Sequence, residues 1–212
     1  MKVIFLDIDG VMNSRVFYEQ RHRQRWRKPI TWWWDLKSLF RKIFGIKSNG
    51  VSMADYKTPR DFYTFDYQFE RLAEETCPQK WRWLSRWCNE TGTKICISSV
   101  WKNHFAENVY VSAPERWEKA LVRLGFKSGT YVGITGERRT LRGEEIQEWL
   151  DVHPEVEDYA ILDDDSDMLT EQFAKFYHSD PWFGLTPNHL YRIERQFSKL
   201  NNYEHLNITR KK

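Results

Sequence analysis

Cysteine is scarce in this chain of 212 residues, which has only Cys77, Cys88 and Cys96. An odd number without paired metal-ligand spacing argues against a disulfide framework and against a zinc site. Cys88 and Cys96 have apolar neighbours and read as small core residues rather than reactive thiols. Long hydrophobic runs are missing too. No stretch approaches the roughly 20 apolar residues of a membrane-crossing helix. The first apolar run is broken at Asp7 and Asp9, too early for a secretory leader. A reducing, cytoplasmic setting is therefore expected. His104 and His178 stand alone, without metal-ligand spacing, and no internal repeat is present.

An overall excess of one charge is also lacking, with 33 Lys/Arg against 30 Asp/Glu and a net +3. The charges are unevenly distributed. Residues 15 to 60 hold 12 Lys/Arg and 3 Asp/Glu, leaving 21 and 27 for the rest of the chain. A basic segment on an acidic body suggests an anionic partner. The length suits one α/β domain with an insertion.

What the chain does have is a short apolar run that ends in acids. Val3-Ile4-Phe5-Leu6 reads as a parallel strand buried on both faces, and Asp7-Ile8-Asp9-Gly10 follows it. Alternation puts Asp7 and Asp9 on one side of an extended segment, and Gly10 permits a sharp exit. One such carboxylate can attack or bind metal while its neighbour moves protons. Alone, the pattern is an acidic turn after a buried strand. Two further strand ends change that reading. Lys94-Ile95-Cys96-Ile97 runs into Ser98-Ser99, and Tyr159-Ala160-Ile161-Leu162 runs into Asp163-Asp164-Asp165-Ser166-Asp167.

Helical spacing joins Trp81, Leu84, Trp87 and Cys88 in a helix opened by Pro78 and closed by Gly92. A shorter helix precedes it near Gln68 to Glu75. Ser112-Ala113-Pro114-Glu115 has capping-box spacing and is expected to start a helix closed by Gly125. Tyr131 to Ile134 reads as a third strand. Arg142-Gly143-Glu144-Glu145 leads into a helix with Ile146, Trp149 and Leu150 inward. Ala174 to His178 reads as a short fifth strand. Thr186-Pro187 starts a last helix from Asn188 to Leu200, and residues 201–212 form a frayed polar tail. Strands alternating with helices over residues 1–13 and 67–200 imply an α/β core, a parallel sheet with helices on both faces. Such sheets gather ligands at the strands' carboxyl ends.

Those ends assemble Asp7, Asp9, Ser98, Asp163 and Asp164, with Arg142 nearby. Like-charge repulsion would raise the acids' pKa values unless a cation binds. An all-oxygen site of several carboxylates suits Mg²⁺, which prefers substrates that supply phosphate oxygens. Ser98 and a basic side chain can hold those oxygens by charge-assisted hydrogen bonds. The chemistry is phosphoryl transfer, with metal and cation offsetting developing charge.

Five segments occur in order: Phe5-Leu6-Asp7-Ile8-Asp9-Gly10-Val11, Ser98-Ser99-Val100-Trp101-Lys102, Arg142-Gly143-Glu144-Glu145-Ile146-Gln147-Glu148-Trp149-Leu150, Ile161-Leu162-Asp163-Asp164-Asp165-Ser166-Asp167-Met168 and Gly184-Leu185-Thr186. Together they resemble the haloacid dehalogenase (HAD) superfamily, and within it the HAD domain associated with "Swiss Army Knife" RNA-repair proteins. The resemblance covers residues 1–14 and 67–197. It implies a Rossmannoid three-layer sandwich with a cap inserted between the first two motifs, and a Mg²⁺-dependent phosphatase. By the same resemblance, Asp7 attacks phosphorus and becomes an aspartyl phosphate. Asp9 protonates the leaving oxygen, then activates water. Mg²⁺ is held by Asp7, the Asp9 carbonyl and Asp163, with Asp164 or Asp167 close by. Ser98 binds phosphoryl oxygens, with Ser99 and Lys102 as further substrate contacts. The third motif requires a Lys or Arg, and Arg142 is the choice over Lys127, Arg138, Arg139 and Lys102. Lys102 stands where the family usually has Arg, and the two differ in bidentate phosphate recognition. Gly136 stands where the family has proline.

Plainer roles are also open to these residues. Asp165 and Asp167 suit a solvated loop or a helix start, and Ser99 suits a turn cap. Trp81, Trp83, Trp87 and Trp149 suit packing. In the basic, aromatic-rich insert of residues 14–66, Trp32 to Ile46 reads as an amphipathic helix. It is expected to pack on the body first. Its cationic face suits nucleic acid next, and an anionic membrane surface after that. The expected substrate is a nucleic-acid terminal phosphate or a nucleotide. The other readings are a phosphatase of small phosphorylated metabolites and a non-catalytic binding module on the same fold.

Overall fold

The computed structural model describes residues 1–27, 62–108, 111–136 and 141–209. The expected Trp32–Ile46 helix, Arg138 and Arg139 lie outside the described residues.

Val3 to Leu6 have no exposed surface, as their unbroken apolar run requires of a central strand. This strand, β1 (Lys2–Leu6), is flanked by β2 (Lys94–Ile97) and β6 (Asp158–Asp163). The five-stranded sheet is completed by β5 (Tyr131–Ile134) beside β2 and β7 (Phe176–His178) beside β6. Every pairing in it is parallel.

Alternate residues of β1 feed two layers. Ile4 and Leu6 pack with Leu72 of α2 (Phe65–Glu75), Trp81 of α3 (Pro78–Thr91), Leu121 of α4 (Arg116–Arg123) and Ile193 of α6 (Pro187–Thr209). Val3 and Phe5 point the other way, onto Ile146 and Trp149 of α5 (Arg142–Asp151). Phe5 meets Trp149 edge to face at 5.3 Å. Helices therefore cover both faces of the sheet, as expected. Trp81 and Trp149 are packing residues, and the Trp81 indole N–H donates to Thr76 Oγ1 at 2.7 Å. Among the described residues no helix is long and apolar enough to cross a membrane.

Three local expectations need correction. Ser112 does not cap a helix, because it pairs with Ala106 in a small antiparallel ribbon of β3 (Ala106–Asn108) and β4 (Val111–Ser112). Helix α4 starts after Glu115, whose side chain makes no capping bond. The Arg116 and Trp117 amides donate to the Ala113 and Pro114 carbonyls instead. Ala174 belongs to a 3₁₀ segment, Thr170–Lys175, that precedes β7. Helix α6 runs on through the polar residues to Thr209. Between α2 and the loop after β1, a further helix, α1 (Arg15–Arg27), begins the basic segment.

Pro78 and Gly92 do bound α3. Gly92 has φ +73°, and a methyl group built on it would touch nothing within 4 Å. The cost of a side chain there is purely backbone. Gly92→Ala is expected to lower stability by about 1 kcal/mol, the cost of a left-handed L-residue. It would be read as a lower denaturant midpoint at unchanged slope.

Candidate active site

The sheet register builds the site. Leu6 pairs with Ile97 on one side and Leu162 on the other. One residue further on, the Asp7 amide donates to the Leu162 carbonyl at 2.9 Å and the Ser98 amide to the Leu6 carbonyl at 3.1 Å. Asp7, Ser98 and Asp163 thus stand abreast at the carboxyl edge of three adjacent strands.

The chain then turns sharply. The Met12 and Asn13 amides both donate to the Ile8 carbonyl. Asn13 fixes the turn, donating from Nδ2 to Asp9 Oδ1 at 2.6 Å and accepting from the Gly10 amide at 2.9 Å. Asp9 is exposed, whereas Asp7 is buried. Gly10 has φ +60°, and a Cβ on it would lie 2.1 Å from Asp164 Cγ. Glycine is therefore what lets Asp164 approach.

One carboxylate oxygen from each of Asp7, Asp163 and Asp164 lies within 4.8 Å of the others. Burial pushes Asp7 up to about 8, and the Asp163 charge adds to it; a Ser99 hydroxyl hydrogen bond and the Arg142 guanidinium pull it back, while Asp9 adds a smaller push. Burial likewise raises Asp163 to about 6, opposed by the Asp165 amide and Arg142 and assisted by Asp164 and Asp167. Asp164 is raised as well, again chiefly by burial. Arg142 spans the pair, with Nη2 3.7 Å from Asp7 Oδ1 and Nε 3.5 Å from Asp163 Oδ2.

Two buried atoms in this group lack hydrogen-bond partners among the described residues, Ser98 Oγ and Asp163 Oδ2. Buried polar atoms are ordinarily paired. Here the orphans are a hydroxyl that can donate to an anion and a carboxylate oxygen that can ligate a cation. Three clustered carboxylates with only oxygen donors fit a hard divalent ion such as Mg²⁺.

The neighbouring residues divide into two groups. Ser99 caps the turn after β2, accepting the Trp101 amide at 3.3 Å, and its hydroxyl bonds to Asp7. Asp167 caps α5, accepting the Arg142 amide at 3.0 Å, and Asp165 is exposed. The buried ammonium of Lys102 pairs with Glu145 of α5 at 2.8 Å and donates to the Gly136 carbonyl. Glu145 also accepts from Thr135 Oγ1 at 3.2 Å. Lys127 bonds to the Asn89 carbonyl. His104 is held by the Gln68 carbonyl, and His178 bonds to the Asp164 carbonyl at 3.0 Å.

Helix α5 is set directly against the loop after β6. A Cβ on Gly143 would lie 2.4 Å from the Leu169 amide nitrogen, and the Gly143 amide donates to the Asp167 carbonyl at 3.1 Å. Asn13 and Glu145 are the supporting residues that sequence reasoning missed. Only Asn13 left a trace, a short polar side chain four residues after Asp9.

A protein-family model described as the HAD domain in Swiss Army Knife RNA repair proteins matches residues 3–190. No curated protein and no solved structure matches the chain. The family match takes in every residue of the cluster, from Asp7 to Asp164. The chain belongs to the HAD superfamily of phosphatase-type hydrolases, in the family of HAD domains found in Swiss Army Knife RNA repair proteins.

Proposed function

We propose that this protein is a Mg²⁺-dependent phosphomonoester hydrolase that forms an aspartyl phosphate on Asp7 and acts on a nucleic-acid terminal phosphate or a nucleotide. The meeting of Asp7, Asp163 and Asp164 with Arg142, beside an unpartnered Ser98 hydroxyl, carries this reading. Asp7, Asp163, Asp164 and the Asp9 carbonyl would hold Mg²⁺, whose charge neutralises the acids and the phosphoryl oxygens.

In this reading Arg142 helps keep Asp7 ionised against the burial that favours its protonated form. The Ser98 hydroxyl donates to a phosphoryl oxygen. An Asp7 oxygen attacks phosphorus, the bond from phosphorus to the leaving oxygen breaks, and Asp9 gives that oxygen a proton. Water then attacks the phosphorus of the aspartyl phosphate and passes its proton to Asp9. Phosphate leaves and the Asp7 carboxylate is restored. Asn13 holds Asp9 in place for both transfers. Lys102, through Glu145, steadies the helix that carries Arg142 rather than touching substrate.

Three features support a nucleic-acid or nucleotide substrate. The family description names RNA repair. The basic segment of residues 14–66 follows the first motif, where a cap would sit. Trp182 and Phe183 are 45 % and 61 % exposed, and the Arg15 guanidinium lies 5.4 Å from the Trp182 ring. Their loop is tied to the chain after Asp9, through Ser179 Oγ to the Gly10 carbonyl at 3.1 Å and the Val16 amide to the Trp182 carbonyl at 3.1 Å. A ring beside a cation suits a stacked base. Three free thiols, two of them buried, suit a reducing, cytoplasmic setting.

A screen of phosphomonoesters beside 3′- and 5′-phosphorylated oligonucleotides, with Mg²⁺, tests the reading. Turnover only on small metabolites would favour the metabolite phosphatase. Tight oligonucleotide binding without any turnover would favour a binding module. Replacing both Trp182 and Phe183 with Ala is expected to raise KM for a phosphorylated oligonucleotide roughly tenfold or more, the worth of a lost stack. KM for an aryl phosphate should stay unchanged.

A further inference from the structure

Lys80 lies in the first turn of α3 with 4 % of its surface exposed. Its ammonium donates to the Val11 carbonyl at 3.0 Å and pairs with no carboxylate among the described residues. Burial pulls it down to about 8, with the nearby Cys77 thiol acting the other way.

Hydrogen bonding of the backbone does not require this arrangement. The Val11 carbonyl already accepts the Leu185 amide at 2.8 Å, so it would stay paired without Lys80. A buried ammonium without a counter-charge is costly, and an apolar side chain of the same length would fill the space. The surrounding backbone instead makes room for the charge. Gly184 has φ +65°, and a Cβ there would lie 2.1 Å from Lys80 Nζ, 2.3 Å from the Val11 carbonyl oxygen and 3.2 Å from that of Gly10. The ammonium therefore sits under the turn Asp9-Gly10-Val11, in which the Val11 amide donates back to the Asp9 carbonyl at 2.6 Å.

We propose that Lys80 is a positioning residue whose buried ammonium anchors this turn and so aims the Asp9 carboxyl at the leaving oxygen. The proposal rests on Asp9 being the proton donor of the phosphatase reading. It places one determinant of proton transfer on α3, far in sequence from the site's motifs.

The leaving group is the diagnostic. A nitrophenolate departs with little protonation, whereas an alkoxide needs a proton as it leaves. The rates to compare are those of leaving-group release in a single turnover, which precedes the hydrolysis step that Asp9 serves equally for every substrate, in wild type, Lys80→Met, Lys80→Gln and Asp9→Asn. The substrates are 4-nitrophenyl phosphate and a 3′-phosphorylated oligonucleotide or nucleoside monophosphate. Lys80→Met is expected to slow the alkyl phosphate roughly 100-fold, the lower range of general-acid catalysis, and the nitrophenyl ester by less than about threefold. Asp9→Asn should give the same pattern more strongly, and Lys80→Gln, which keeps a donor but no charge, should fall between. The melting temperature of Lys80→Met should equal or exceed that of wild type.

Equal slowing on both substrates, or no slowing, would overturn the role of Lys80 while leaving the phosphatase reading intact. If both Lys80 variants fail to fold, Lys80 is a folding residue and the proposal is wrong. If wild type turns over neither ester, the phosphatase reading falls and this proposal with it.

Discussion

Asp7→Asn is expected to abolish phosphate release, a fall on the order of 10⁴-fold or more, as for removal of a covalent nucleophile. The amide has nearly the same shape but cannot attack phosphorus. The fold should not suffer. In the metal-free chain burial and the Asp163 charge raise Asp7 to about 8, so an uncharged group is what the site favours at neutral pH. The variant's melting temperature without metal should match or exceed that of wild type. Initial rates on an aryl phosphate with Mg²⁺ measure the first effect, and thermal melts the second. Acid-quenched wild type should also keep label from a phosphate-labelled substrate on the chain, and Asp7→Asn should not. A residual rate near that of wild type would move the nucleophile to another residue.

The second large effect concerns Asp163 and pH. Asp7 and Asp163 both titrate above the ordinary carboxyl value of 3.8 when the chain is folded and metal-free. The folded state then binds protons that the unfolded state has released, so stability falls as pH rises. Their contribution is complete below 3.8 and is lost through about 6 for Asp163 and about 8 for Asp7. Metal-free melting temperature should therefore decline from pH 5 to pH 8, and Mg²⁺ should raise it more at pH 8 than at pH 5. Asp163→Asn is expected to flatten that decline. It should also raise the Mg²⁺ needed for half-maximal rate by at least about tenfold, since even outer partners of metal ligands cost that much. Melts across pH with and without Mg²⁺, together with a metal titration of the rate, test both. A flat metal-free profile in wild type and an unchanged metal demand in the variant would remove Asp163 from the site.

Much of this site was legible because its residues are tied to strand ends. Val3 to Leu6 and Ile161-Leu162 announce buried strands, and the acids that follow them can only lie at the sheet's carboxyl edge. Pro78 and Gly92 mark α3 because each acts on its own backbone. What escaped notice depends on partners distant in sequence. Lys80 reads as an ordinary polar position in the first turn of a helix, because its acceptor is a carbonyl 69 residues away. The Lys102–Glu145 pair spans 43 residues, and nothing in local spacing predicts it. Ser112 has the right neighbours for a cap but is claimed by a strand partner, Ala106. Local pattern loses wherever a tertiary contact competes for the same backbone groups.

Gly143 has a consequence for any attempt to alter what this protein accepts. With no side chain between α5 and the Leu169 amide, the gap from the guanidinium to the acids is set by close main-chain contact, backed by the Asp167 carboxylate on the Arg142 amide and the Gln172 side-chain amide on the Gly143 carbonyl. It has no slack for a designer to take up, and lengthening or shortening residues 164–170 would shift the cation and the acids relative to each other at once. Retargeting should therefore begin at the outer rim, around Arg15 and Trp182, where side chains can be exchanged without disturbing that inner calibration.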